Sequence, residues 1–202
     1  MPCAFSTDVL DQVMAFHGHR CPGLTIGIRA AEYARAEFPG PDVNLTCVTE
    51  TDMCGVDAIQ CLTGCTYGKG NLIHRDHGKM AFSFFDRTSG RGVRLLLRPE
   101  ARGGLDEELG RLMSAMQSGA ATEADRQRAA QLRAELEERF MRLDLAEMFA
   151  RTPLDGPAPR PARVLKSLPC EGCGEMTMES RTRRFAGQTL CIPCFAQVEQ
   201  KI

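Results

Sequence analysis

Apolar positions recur at spacings of three and four from the start of the chain. Val9, Leu10, Val13 and Phe16 share one face, and Ser6, with Asp8 behind it, predicts the cap of a helix from Thr7 to about Phe16. Gly18 breaks it. Pro22 suits the first turn of a second helix, striped by Leu24, Ile28, Ala31 and Ala34 or Arg35 and stopped by Pro39-Gly40-Pro41 after Phe38. Val43 to Thr49 alternates and is rich in β-branched residues, which predicts a strand. Gly55 to Gly64 reads as a helix. Lys79–Asp86 and Gly92–Arg98 read as a hairpin joined by residues 87–91, with a short strand at Leu72–His74 before it. Helices are predicted over Leu105–Gln117 and Thr122–Phe149. The second opens with a Thr122…Asp125 capping pattern and carries an apolar stripe of Leu132, Leu136, Phe140, Leu143 and Met148. Four prolines and a glycine between Thr152 and Pro161 then read as a linker. The expected organisation is a core over 1–151, a Pro-rich linker over 152–163 and a small module over 164–202.

Composition narrows the class. With 202 residues, 43% hydrophobic and 25% charged, the chain fits one medium soluble domain plus an appendage. No run reaches the roughly 18 apolar residues that cross a bilayer, and residues 1–8 lack the features of a signal peptide. A net charge of −1 gives no overall attraction to a polyanion. Residues 151–202 are mildly basic, eight basic side chains against five acidic, which a solvated surface explains. Ten cysteines, four of them in Cys-x-x-Cys pairs and others beside histidine, point to thiolate ligands in a reducing cytoplasm rather than to disulfides.

Cys170-Glu-Gly-Cys173 and Cys191-Ile-Pro-Cys194 lie seventeen residues apart. Two such knuckles supply four soft ligands in the tetrahedron that Zn²⁺ favours, and a module of this size has too little core to fold without the ion. Four thiolates leave no open position, so the expected role is structural. The pattern resembles a treble-clef finger, and also the finger of small transcription regulators that bind RNA polymerase.

The second cluster is His17-Gly-His19-Arg-Cys21. Imidazole and thiolate together suit Zn²⁺ or another transition metal, and Gly18 lets the backbone bend so that alternate side chains converge. Cys21 also sits before a helix N-terminus, where a thiol can serve as a nucleophile without metal. Cys54, Cys61 and Cys65 are spaced seven and four apart and would share a helix face. Cys54 and Cys65, at glycine-punctuated helix ends, are expected ligands, and Cys61 a small hydrophobe. Gly64 to Asn71 looks like a phosphate loop, but Gly64 to Gly68 is one residue too short and Gly70 replaces the Ser/Thr, which excludes nucleotide hydrolysis of that type. Its amides with Lys69 either receive an anion or form a simple turn. His74 and His77 read as surface residues.

Phe16-His-Gly-His-Arg-Cys-Pro-Gly-Leu24, Cys54-Gly-Val-Asp-Ala-Ile-Gln60, Thr63-Gly-Cys-Thr66, Gly68-Lys-Gly-Asn-Leu72 and Asp76-His-Gly-Lys79 together resemble the FmdE family of formylmethanofuran dehydrogenase over roughly the first 100 residues. The resemblance implies an α+β core, helices packed on an antiparallel sheet, often paired as a homodimer, with a treble-clef zinc finger appended in some members. It implies a pocket of His17, His19, Cys21, Cys54, Asp57, Gln60, Cys65 and Lys69. Within it Cys21, Asp57, Gln60 and Lys69 are the catalytic candidates, and His17, His19, Cys21, Cys54 and Cys65 the candidate ligands of a second metal. The family name points to a molybdenum or tungsten oxidoreductase with partner subunits. Three readings follow. The first is a metal-dependent enzyme or a component of one, the second a metal- or sulfur-handling protein, and the third a regulator whose finger docks a protein or nucleic acid. The first is preferred, and a nucleic-acid partner is not expected.

Overall fold

In the computed structural model, which describes residues 2–199, α1 runs over Thr7–His17 and ends at Gly18, whose φ of 90° is left-handed. Ser6 occupies the N-cap position, but its side chain makes no capping hydrogen bond. After the loop that carries His19, Pro22 opens α2 (Pro22–Glu37), and the Cys21 sulfur takes the place of a capping oxygen by accepting the Leu24 N–H at 3.3 Å. The chain continues through β1 (Leu45–Thr49), α3 (Gly55–Thr63), β2 (Leu72–His74), β3 (Ala81–Asp86) and β4 (Gly92–Leu97). Then come α4 (Leu105–Gln117), α5 (Glu123–Arg142), α6 (Leu145–Met148) and β5 (Phe149–Leu154). Thr122 and Asp125 close a reciprocal capping box at the start of α5.

The first compact unit, Met1–Pro161, is a layer of helices on one face of a five-stranded sheet of order β2-β1-β3-β4-β5. The β1–β2 pair is parallel and the other three pairings are antiparallel. Cys47, Phe84 and Val93 are successive cross-strand partners and all are fully buried. They meet Ile26, Ala30 and Ala34 of α2, Ile59 of α3, and Leu136 and Phe140 of α5 in one core. Fully burying a side chain such as Phe84 contributes about 2 kcal/mol.

Two sequence expectations change here. The long helix predicted to Phe149 stops at Arg142, and residues 149–154 form an edge strand that runs into the expected linker. Arg29, fully buried in α2, accounts for the stop. Its guanidinium pairs with Glu32 at 2.7 Å and donates to the Leu143 carbonyl at 2.6 Å, so that carbonyl serves a tertiary contact at the point where the helix ends. Glu32 also accepts the Ala4 N–H, and the Cys3 N–H donates to the Met141 carbonyl, which fastens the N-terminal segment to the same place. Phe149 then pairs with Leu97, and Pro153 is tolerated because β5 lies at the sheet edge.

The second compact unit, Ala162–Ile202, holds two small hairpins and a helix: β6 (Ser167–Pro169) with β7 (Met176–Met178), β8 (Thr182–Phe185) with β9 (Gln188–Cys191), and α7 (Ile192–Val198). Its buried residues are Cys170, Leu190 and Cys191, with Cys194 and Phe195 packed against them.

Candidate metal centre

Three glycines bring the core cluster together. A Cβ on Gly27 would lie 2.1 Å from the Gly55 carbonyl oxygen, so α2 and α3 touch through bare backbone. At the same crossing a Cβ on Gly23 would lie 3.3 Å from the Cys54 Cβ and 3.9 Å from both the Cys21 and Cys54 sulfurs. The contact therefore sets the start of α3, with Cys54 at its N-cap, beside the start of α2, with Cys21 at its N-cap. The left-handed turn at Gly18 folds the next residues back, and the His17 and His19 rings lie 4.3 Å apart between centroids.

One donor atom from each of His17, His19, Cys21 and Cys54 lies within 4.8 Å of all the others. The Cys21 sulfur is 4.0 Å from His17 Nε2, close to the edge of a tetrahedron drawn around an ion with bonds of about 2.0–2.3 Å. His17 Nδ1 lies 2.8 Å from Asp57 Oδ2. An ionised carboxylate only accepts, so Nδ1 carries the proton and Nε2 presents its lone pair to the cluster. Gln60 donates to the other Asp57 oxygen at 3.4 Å and accepts the Tyr67 N–H at 3.2 Å, so a line of polar contacts leads from the Gly-rich loop to the imidazole. Burial and the adjacent Cys54 side chain push the Cys21 thiol up from its ordinary range, against the Leu24 N–H that draws it down. A cation among two thiols and two imidazoles reverses that balance, and the donor set suits Zn²⁺ or another thiophilic transition metal. His17, Cys21 and Cys54 are half-buried and His19 is exposed, so one side of the cluster faces solvent.

Cys65 does not join this group, which corrects its expected role as a ligand. The shared-face argument needed a helix running through it, but α3 ends at Thr63 and Gly64 turns left-handed with φ 67°. Cys65 is fully buried in the sheet-side core near Cys47, and burial pushes its thiol up. Cys61 is exposed and outside the cluster. The Gly-rich loop is a turn rather than an anion cradle. The N–H groups of Thr66, Tyr67, Lys69 and Gly70 donate to Asn71 Oδ1, Gln60 Oε1, Thr66 Oγ1 and the Tyr67 carbonyl. Lys69 folds its ammonium back toward Gly64, 3.4 Å from where a Cβ would stand. The sequence reading missed the α2–α3 glycine contact. Its signal was the four-residue spacing of Gly23 and Gly27, which puts both on one helix face.

In the second unit the Cys170, Cys173, Cys191 and Cys194 sulfurs also lie within 4.8 Å of one another, with Cys173 and Cys191 3.9 Å apart and none in a disulfide. The Cys170 sulfur accepts the N–H groups of Cys191 at 3.2 Å and Gly172 at 3.4 Å, and such donors hold its thiol down to about 6. Hydrogen bonding with Cys191 and Cys173 pushes Cys194 up to about 12. One sulfur is thus set as a thiolate while its neighbour retains a proton, an imbalance that a shared cation removes.

Fold and sites define the class: an α+β metal-site protein with a four-cysteine finger appended. Residues 16–150 match the family described as "FmdE, Molybdenum formylmethanofuran dehydrogenase operon", and the chain belongs to that family. Residues 163–200 match the prokaryotic dksA/traR C4-type zinc finger. An FmdE-like protein of tungsten formylmethanofuran dehydrogenase, from Syntrophus aciditrophicus, shares the fold, with a TM-score of 0.65 and 23% identity over 98% of this chain and 96% of that one. A protein of Archaeoglobus fulgidus described as a probable S-adenosyl-L-methionine-binding protein is 27% identical over 93% of this chain. The chain spans about half the length of that relative, 52%. No helix among the described residues is long and apolar enough to cross a membrane.

Proposed function

We propose that the core is a working metal site of an oxidoreductase system of the molybdenum or tungsten formylmethanofuran dehydrogenase type, and that the finger holds a structural zinc. The convergence of His17, His19, Cys21 and Cys54 within 4.8 Å, with Asp57 on the far nitrogen of His17, carries the reading. When bound, the ion supplies Lewis acidity at its exposed side. His17, Cys21 and Cys54 would hold it, and exposed His19 is the donor that a substrate or partner can displace. Asp57 keeps a proton on Nδ1 of His17, and Gln60 keeps Asp57 in place. A role in metal handling uses the same donors, and the half-burial of three of them favours a resident ion over one passed on. Arg183 and Arg184 are neighbours in β8 and so face opposite ways, which speaks against one basic stripe on the finger and against a nucleic-acid partner. The protein works in a reducing cytoplasm, which suits ten cysteines that are all free. It works as a homodimer, consistent with exposed Phe16, Met53 and Tyr67 flanking the centre.

Elemental analysis of the full chain, purified without affinity metals, tests this. The expected result is two ions per chain, one for each donor cluster, with Cys21→Ser removing one and Cys173→Ser the other. A single ion, lost only in Cys173→Ser, would overturn the core site.

A further inference from the structure

A cavity of about 230 Å³ lies beside Cys21, between α1, α2 and α5. Protein interiors are close-packed, with few voids larger than a water molecule, so a space of this size is a feature to account for. Its walls are Leu10 and Met14 of α1, Leu24 and Ile28 of α2, and Met141 of α5. Thr25 also lines it, but its hydroxyl is committed to the Cys21 carbonyl at 3.1 Å. The walls therefore suit an apolar body and offer it little hydrogen bonding. An apolar cavity of about 150 Å³ takes up one benzene, so this one accommodates a substituted ring or a branched chain of similar bulk.

Its charged residues are Asp11, Arg20 and Glu137. The Arg20 guanidinium lies 3.5 Å from Glu137 and is 71% exposed. Asp11 forms no ion pair among the described residues, so this end of the cavity carries one carboxylate in excess. We infer that the cavity binds a small organic amine, with the apolar body among Leu10, Met14, Ile28 and Met141 and the ammonium against Asp11 and Glu137. Cys21 belongs to both the cavity and the donor cluster, so the bound amine sits one side chain from the metal centre, in the place of a substrate or an effector. The inference does not depend on the ion being present.

Titration of the full-length protein with 2-phenylethylamine, 2-phenylethanol and 3-phenylpropionate, followed by calorimetry and ligand-observed NMR, tests it. Saturable binding of the amine is expected, several-fold weaker binding of the alcohol, and weakest binding of the acid. Asp11→Asn should bring amine and alcohol together, and Met14→Trp, which fills the cavity, should abolish both. Asp11 is exposed, so its variant folds and decides the matter even if Met14→Trp does not fold. Equal binding of all three probes, no saturable binding, or an unchanged preference in Asp11→Asn would overturn the inference. Metal content measured on the same samples reads a failure of the ion to bind apart from a failure of the cavity.

Discussion

Asp57 decides which nitrogen of His17 can face a metal. At 2.8 Å from Nδ1 it fixes both the tautomer and the ring plane. Such carboxylate partners typically account for about 10–100-fold in metal affinity. Asp57→Asn is therefore expected to weaken the core site by about that factor and to leave the finger unchanged, as read by competition with a chromogenic chelator. Equal affinity in the variant would remove Asp57 from this role. Asp86 is the corresponding single-residue test of the fold. Burial raises its pKa, but hydrogen bonds from Ser89, Thr88 and Asn44 outweigh burial and hold it at about 2. A carboxyl held down in the folded state adds stability above its unfolded value of about 3.9 and loses it as pH falls toward about 2. Wild type should lose about 2 kcal/mol over that interval from this group alone. Asp86→Asn should show a flatter acid limb in urea denaturation, and parallel limbs would refute the assignment.

At the scale of elements, the α2–α3 crossing matters most for the site. Alanine is the better helix former by about 1 kcal/mol, so propensity alone favours Gly27→Ala. The 2.1 Å approach to the Gly55 carbonyl reverses the sign, because backbone cannot swing aside as a side-chain tip can. Gly27→Ala is expected to cost about 2 kcal/mol or more and to lose the core ion with it, since Cys54 moves with α3. Unfolding midpoints and metal content measured together check this, and a stabilised variant that keeps its ion would show that the helices part without disturbing the site. Element ends explain the other departures from expectation. Periodicity carried the apolar stripe through Leu143 and Met148 without a visible stop, because the stop comes from Arg29, 114 residues away, through its bond to the Leu143 carbonyl. In the same way Cys65 kept a helical spacing to Cys61 that ended in fact at Gly64.

At the scale of the molecule, the two compact units carry separate donor clusters. In the core unit, Phe16, Met53 and Tyr67 are the large hydrophobic residues left exposed, and each adjoins the metal centre in sequence or through its bonding. Burying them between two copies accounts for their exposure in one. Tyr67→Glu is expected to shift the sedimentation of the full chain from dimer to monomer while both ions stay bound. A wild type that sediments as a monomer would rule out this interface.

The sequence by itself determined the local features. These are the boundaries of α4, the capping box of α5, the hairpin of β3 and β4, the four-cysteine finger and the His-x-His-x-Cys segment, because each depends on residues a few positions apart. Only the tertiary structure decided that Cys54 joins that segment and Cys65 does not, that α5 gives way to an edge strand, and that the Gly-rich loop uses its amides internally. Each of these turns on contacts between residues distant in the chain, where a backbone approach, a carbonyl already bonded or a buried thiol overrides what spacing alone implies.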